Sequence, residues 1–226
     1  MLVRTITVIT IFLRPDPFLL AREERGEVYK REKRAFRQAF AVIRGIPNAW
    51  LALHAIVIGH ITMVTIMVMT PVHMAHVDVS LRLIGLVISV HVLGMYALSP
   101  LVGRVVDRLG RIKTILIGVV ILLASALTAG LAYADAVVQL GIGLFLLGLG
   151  WSCTLIAGST LLAESLPDEI KASGQGLSDL SMNGGGAVGG ALAGIVIAVA
   201  SYGWLCAIMA IPVLYLGVRA WRLGFK

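Results

Sequence analysis

Gly103-Arg104-Val105-Val106-Asp107-Arg108-Leu109-Gly110-Arg111-Ile112-Lys113 packs four cations, one carboxylate and two glycines into a short stretch. Long apolar runs flank it, residues 83–102 before and 114–134 after. A charged connector this short predicts a chain that leaves a membrane, turns tightly and re-enters. Gly103 and Gly110 supply the backbone freedom such a turn needs. Arg104, Arg108, Arg111 and Lys113 hold the connector in water against anionic headgroups. Asp107 is the lone carboxylate, and its spacing predicts an ion pair with Arg111 one helical turn on.

Composition agrees with a membrane class. Hydrophobic residues make up 58% of the 226, charged residues only 14%, and mean hydropathy is +0.94. A soluble domain carries about a quarter of its residues as charges. The expected fold class is therefore all-α, a polytopic bundle of transmembrane helices. Cys153 and Cys206 both fall inside apolar runs, so they predict neither a disulfide framework nor a metal centre.

Outward from the connector, six runs are long enough to cross ~30 Å of hydrocarbon, which takes about 20 residues. They lie at 48–73, 83–102, 114–134, 136–164, 177–200 and 204–220, within a bundle spanning 48–226. Residues 1–13 contain an apolar run too short to span, followed by Arg14-Pro15-Asp16-Pro17 with no small-residue cleavage site. That piece is expected to be the remnant of a transmembrane helix. Residues 14–47 form a basic linker in which Val28, Phe36, Phe40 and Ile43 recur at helical spacing, the pattern of a helix lying in the membrane interface. A solvated linker is the plainer alternative.

Positive charge sets the expected orientation. Nine Lys/Arg lie between Arg14 and Arg44, four in the 103–113 connector, one in the 165–176 joint, and three at Arg219, Arg222 and Lys226. The opposite joints hold only Arg82. Both ends of the six-span block are thus expected in the cytoplasm, in the plasma membrane. The net charge of +7 becomes topological, and a nucleic-acid partner drops out.

Glycine marks where helices should approach closely. Gly186, Gly190 and Gly194 repeat every four residues in the fifth span beside Gly185 and Gly189, and Gly141, Gly143, Gly148, Gly150 and Gly158 stud the fourth. Small residues at such spacing let backbones meet where lipid supplies no hydrophobic drive.

The quoted stretch resembles the GxxxDRxGRxK signature of major facilitator superfamily transporters, which falls after the second helix of each six-helix half. Here it falls after the second full span, behind a basic linker like the family's central loop. The 164–176 segment, with Pro167, Lys171, Gly174 and Gly176, is similar to the family's connector between its tenth and eleventh helices. The resemblance covers essentially residues 1–226, as a helix 6 remnant, central loop and helices 7–12. It implies a proton-coupled secondary transporter of a small solute, present as a C-terminal half or fragment whose N-terminal half is missing or separate. It also implies that Gly103, Arg104, Asp107, Arg108, Gly110, Arg111 and Lys113 form a latch closing against the other half. The competing reading is a six-span protein with an assembly or regulatory role and no transport of its own.

Ionisable groups within spans cost about 2.5–3.5 kcal/mol each at mid-membrane, which makes them functional candidates. His60 and His91 lie near the middles of the first and second spans, and imidazole titrates near neutral pH. Either can carry a coupling proton, or be a neutral histidine bonded to a neighbouring helix. Asp179 and Asn183 share a face of the fifth span, where a carboxylate near a helix N-terminus is favoured by the dipole. Trp151 is mid-span and a candidate cavity residue. Glu164 is expected at the interface. His73, His76 and Asp78 offer three ligands but no evident fourth, so no metal site is expected. No nucleophile–base pair and no phosphate loop appears, so neither an enzyme nor a cofactor is expected.

Overall fold

The computed structural model describes residues 35–225, and these are helical, with no strand among them. The helix remnant expected at 1–13, and the linker as far as residue 34, lie outside the described residues. In order, the helices are α1 (Ala35–Gly45), α2 (Pro47–Ala75), α3 (Leu81–Tyr96), α4 (Ser99–Leu109), α5 (Arg111–Gly130), α6 (Val137–Ser165), α7 (Asp168–Val199) and α8 (Tyr202–Gly224). Taking α3 and α4 as one stretch, six are long and apolar enough to cross a membrane.

Proline decides where several of them begin. Pro47 opens α2 from the extended Ile46, since its fixed φ suits a first helical position and its missing N–H costs nothing there. Pro100 separates α3 from α4, because its ring excludes the carbonyl four residues back, at Tyr96. Pro71 and Pro212 sit inside α2 and α8, where neighbouring helices and side chains compensate the freed backbone.

The connector is much shorter than its charge predicts. Helix α4 runs through Gly103, Arg104, Asp107 and Arg108 to Leu109, and α5 begins at Arg111. Only Gly110 is non-helical, at φ 89° and ψ 164°, a region open essentially to glycine. Its N–H donates to Val106 O, and its carbonyl accepts from Thr114 N and Thr114 Oγ1. Gly103 is therefore a helix residue with open space around it, contrary to the turn role expected for it.

Helices α2 and α6 are the most enclosed of the spans and α7 the least. The glycines of α6 explain its central place. A methyl group at Gly143 would meet Ala129 of α5 at 3.0 Å, one at Gly148 would meet His91 O of α3 at 2.5 Å, and one at Gly158 would meet Ile56 of α2 at 2.8 Å. Three neighbours thus approach one helix at backbone distance, the arrangement that gives dispersion its best packing in lipid. Gly141 does not take part and has nothing within 4 Å.

On α7, Gly185, Gly186 and Gly189 face α2, where an added methyl would meet Ile61 at 2.7 Å, His60 at 2.9 Å and Thr65 at 2.7 Å. Gly190 lies beside Val64, while Gly194 has no neighbour and leaves the row a turn short of its expected length. Short helix α1 buries Ala39 and Ile43 against the start of α7, with Ile43 beside Gly174. Its Phe36 and Phe40 are exposed, and Phe40 meets Trp50 edge-on with centroids 5.8 Å apart.

Helix ends sort onto two faces of the bundle. Gly224, closing α8, abuts Ile112, opening α5. At the other face, Tyr202 of α8 meets Thr70 of α2 through hydroxyls 2.8 Å apart, and the His73 ring stacks on Tyr202 at 4.5 Å.

Candidate functional site

A half-buried histidine organises the polar interior. His60 of α2 accepts a hydrogen bond at Nδ1 from Trp151 Nε1 of α6, 3.2 Å away. An indole nitrogen can only donate. The neutral His60 ring therefore carries its proton on Nε2, the edge lying over Gly186 of α7. Tyr96 of α3 meets the Trp151 ring edge-on at 6.1 Å. Four helices thus contribute to one cluster, although His60 and Trp151 stand 91 residues apart.

His91 is placed differently. It is 1% exposed, and its Nδ1–H donates to Leu144 O of α6 at 2.8 Å. That bond to a neighbouring helix is a feature of the plainer alternative that the sequence offered. Nε2 finds no hydrogen-bond partner among the described residues. His60 and His91 form no joint site: the first faces the α2–α6–α7 junction, the second the seam of α3 with α6.

The reading of Asp179 needs correction. Helix α7 begins at Asp168, so Asp179 lies about three turns into the helix, at 3.6 residues per turn. Dipole stabilisation fades within the first turn, and Asp168 and Glu169 already occupy it. Asp179 is exposed and makes no ion pair among the described residues. Asn183, also exposed, donates through Nδ2 to the Asp179 backbone carbonyl at 2.8 Å. Seven residues separate Asp179 from Gly186, two helical turns, so both lie on nearly the same side of α7.

Helix α7 also exposes the apolar Leu180, Val188, Leu192, Ile195 and Val199. The exposed side chains of α5 include Ile117, Val120 and Leu127, and those of α8 Trp204, Ile208, Ile211, Leu214, Tyr215 and Val218. Asp179 and Asn183 thus form a polar patch on a helix whose exposed face is otherwise largely apolar, whereas residues 117–127 of α5 and 204–218 of α8 carry no charged side chain.

At the face carrying the cations, the expected Asp107–Arg111 pair does not form. Arg111 Nη2 instead donates to Glu164 Oε1 at 2.5 Å, tying the start of α5 to the end of α6. Asp107 stays exposed on α4 with no ion pair among the described residues. Arg104, Arg108 and Lys113 are exposed as well. At the opposite face the H-x-x-H-x-D residues diverge. His73 turns inward onto Tyr202, with Nε2 donating to Ala132 O at 3.4 Å, and His76 Nδ1 donates to Val72 O. The Arg111–Glu164 pair and the Tyr202 anchor were missed in the sequence, since both join helices through residues that no local spacing relates.

Comparison with known proteins follows the same lines. The family profile described as Major Facilitator Superfamily matches residues 55–225. The "Uncharacterized MFS-type transporter YddS" of Bacillus subtilis (strain 168) is 35% identical over 219 residues, covering 91% of this chain and 49% of that protein. The "Uncharacterized MFS-type transporter YdeG" of the same strain gives 35% identity over 212 residues with the same shares. The "Multi-drug resistance efflux pump PmrA homolog" of Lactococcus lactis subsp. lactis (strain IL1403) is 35% identical over 116 residues, 50% of this chain and 28% of the relative. Among solved structures, a D-xylose-proton symporter superposes with a TM-score of 0.63 at 17% identity, over 77% of this chain and 47% of the symporter. The chain spans about half the length of the two Bacillus relatives. With its six spans, it belongs to the major facilitator superfamily.

Proposed function

We propose that the chain acts as the second six-helix half of a secondary transporter, moving a small solute across the plasma membrane in exchange with, or together with, protons. The observation that carries this reading is the exposed polar patch on α7. A carboxylate and an amide at Asp179 and Asn183, within the apolar 177–200 stretch, are costly to leave against hydrocarbon. That patch therefore faces a water-filled path or a first half, and the apolar stretches of α5 and α8 face lipid.

In this reading α2, α6 and α7 form one wall of the path between two halves, and rocking of one half on the other gives access to each side in turn. His60 carries the coupling proton, because its Nε2 edge lies at the α7 junction and its Nδ1 is fixed by Trp151. His91 holds α3 to α6. Arg104, Asp107, Arg108 and Lys113 engage the first half in one access state, while Arg111 remains with Glu164. Both ends of the six-span block lie in the cytoplasm, on the side rich in Lys and Arg.

The test is flux in vesicles containing this chain as part of a twelve-span parent, or together with a separate first half. His60→Ala abolishes flux driven by a pH gradient and leaves the amount of protein in the membrane unchanged. Unchanged gradient-driven flux would remove His60 from the mechanism.

A further inference from the structure

The seam between α5 and α8 opens into two grooves of different character. One, near the Gly130–Gly203 contact, has a volume of ≈ 660 Å³ and no charged side chain in its lining. The other lies toward the cation-rich face and has a volume of ≈ 310 Å³. Its walls are Val119 of α5 and Leu214, Gly217, Val218, Trp221 and Arg222 of α8. Five apolar residues leading to one cation, at the end of a membrane-spanning helix, match a molecule with an oily body and an anionic head.

We propose that this second groove is a binding site for an anionic phospholipid. Arg222 takes the headgroup phosphate, Trp221 lies at the level of the glycerol, and one acyl chain runs down the slot past Val218, Leu214 and Val119. The lengths fit this arrangement. Gly224 lies beside Ile112 at the ends of their helices, and Gly217 lies beside Val119 two turns deeper, about 10 Å at 1.5 Å per residue. The slot therefore runs from the headgroup level into the hydrocarbon. Exposed tryptophan collects at that boundary, and Trp221 is 60% exposed.

Charge singles out Arg222. Arg219, one turn before it, is occupied: Nη1 donates to the Tyr215 hydroxyl at 3.2 Å, and the guanidinium lies 5.9 Å from that ring's centroid. Arg111 is paired with Glu164. Arg222 is exposed and makes no ion pair among the described residues, so its five donors are open to a phosphate. The groove lies away from the α7 patch, so lipid and solute do not compete for it.

Fluorescence quenching tests the site directly. The 226-residue chain is reconstituted in vesicles of phosphatidylcholine with increasing brominated-chain phosphatidylglycerol, and in parallel with brominated-chain phosphatidylcholine. The signal read is the quenching lost in Trp221→Phe, which isolates this groove from the other tryptophans. Half-maximal quenching of Trp221 is expected at about fivefold lower mole fraction of the anionic lipid, the equivalent of ~1 kcal/mol per basic side chain near the surface. Arg222→Gln brings the two curves together, Arg222→Lys keeps them apart, and Arg82→Gln, which removes one charge at another joint, leaves the gap unchanged. Coincident curves for the unaltered protein, a gap that survives Arg222→Gln, or quenching that Trp221→Phe leaves untouched would each overturn the assignment.

Discussion

At the scale of single residues, the cluster around His60 turns on what a neighbouring atom can tolerate. Gly186 of α7 lies against the imidazole, and a methyl there would come 2.9 Å from His60 Cδ2. Gly186→Ala is expected to push the ring off Trp151, to destabilise by ~1–3 kcal/mol as overpacking usually does, and to depress gradient-driven flux. Gly194→Ala, with nothing within 4 Å, leaves both melting and flux near those of the unaltered protein. Equal behaviour of the two variants would show that the α2–α7 contact is irrelevant to coupling. Asp179→Asn belongs to the same scale. It keeps the shape of an exposed side chain that has no ion pair among the described residues, so thermal stability should stay within about 0.5 kcal/mol, as for most surface changes. Transport should fall if the carboxylate lines the path, and flux at the parental rate would place it outside.

At the scale of elements, the sharpest test is the turn between α4 and α5. Gly110 holds a backbone conformation that other residues avoid, so Gly110→Ala should cost ~1–3 kcal/mol. Gly103 sits inside α4 with open space around it, so Gly103→Ala should stabilise by roughly 0.5–1 kcal/mol. Opposite signs in thermal melting of the detergent-solubilised chain are the expected result. Two losses of similar size would return Gly103 to a turn. The same elements show what the sequence could and could not reveal. Each span was legible because its middle is apolar for at least the thickness of the hydrocarbon. The ends of α4 and α7 were not, because a helix keeps its hydrogen bonds after leaving the bilayer while its side chains become charged. Arg104, Asp107 and Arg108 read as a loop, and Asp168–Gly176 as a joint, for that one reason. The His60–Trp151 and Arg111–Glu164 contacts were illegible for another: periodicity places residues on a face but does not set one helix's height against its neighbour's.

At the scale of the whole molecule, the exposed polar patch on α7 contrasts with the uncharged middle of α5. Val120 on α5 is 65% exposed in a stretch without charged residues, whereas Asn183 on α7 is exposed beside Asp179. Cysteine labelling separates these environments, because a maleimide reacts with the thiolate and a thiol in hydrocarbon stays protonated. The native cysteines, Cys153 and Cys206, are both buried and contribute little background. With a charged, membrane-impermeant maleimide, Asn183→Cys should label at least about tenfold faster than Val120→Cys, a factor equivalent to ~1.4 kcal/mol. Supplying a six-helix first half should then slow labelling at Asn183→Cys, as that patch becomes part of one wall of a closed path, and leave Val120→Cys as it was. Faster labelling at Val120→Cys would reverse the assignment of the two surfaces. Labelling of Asn183→Cys that ignores the first half would mean that the halves meet across some other surface.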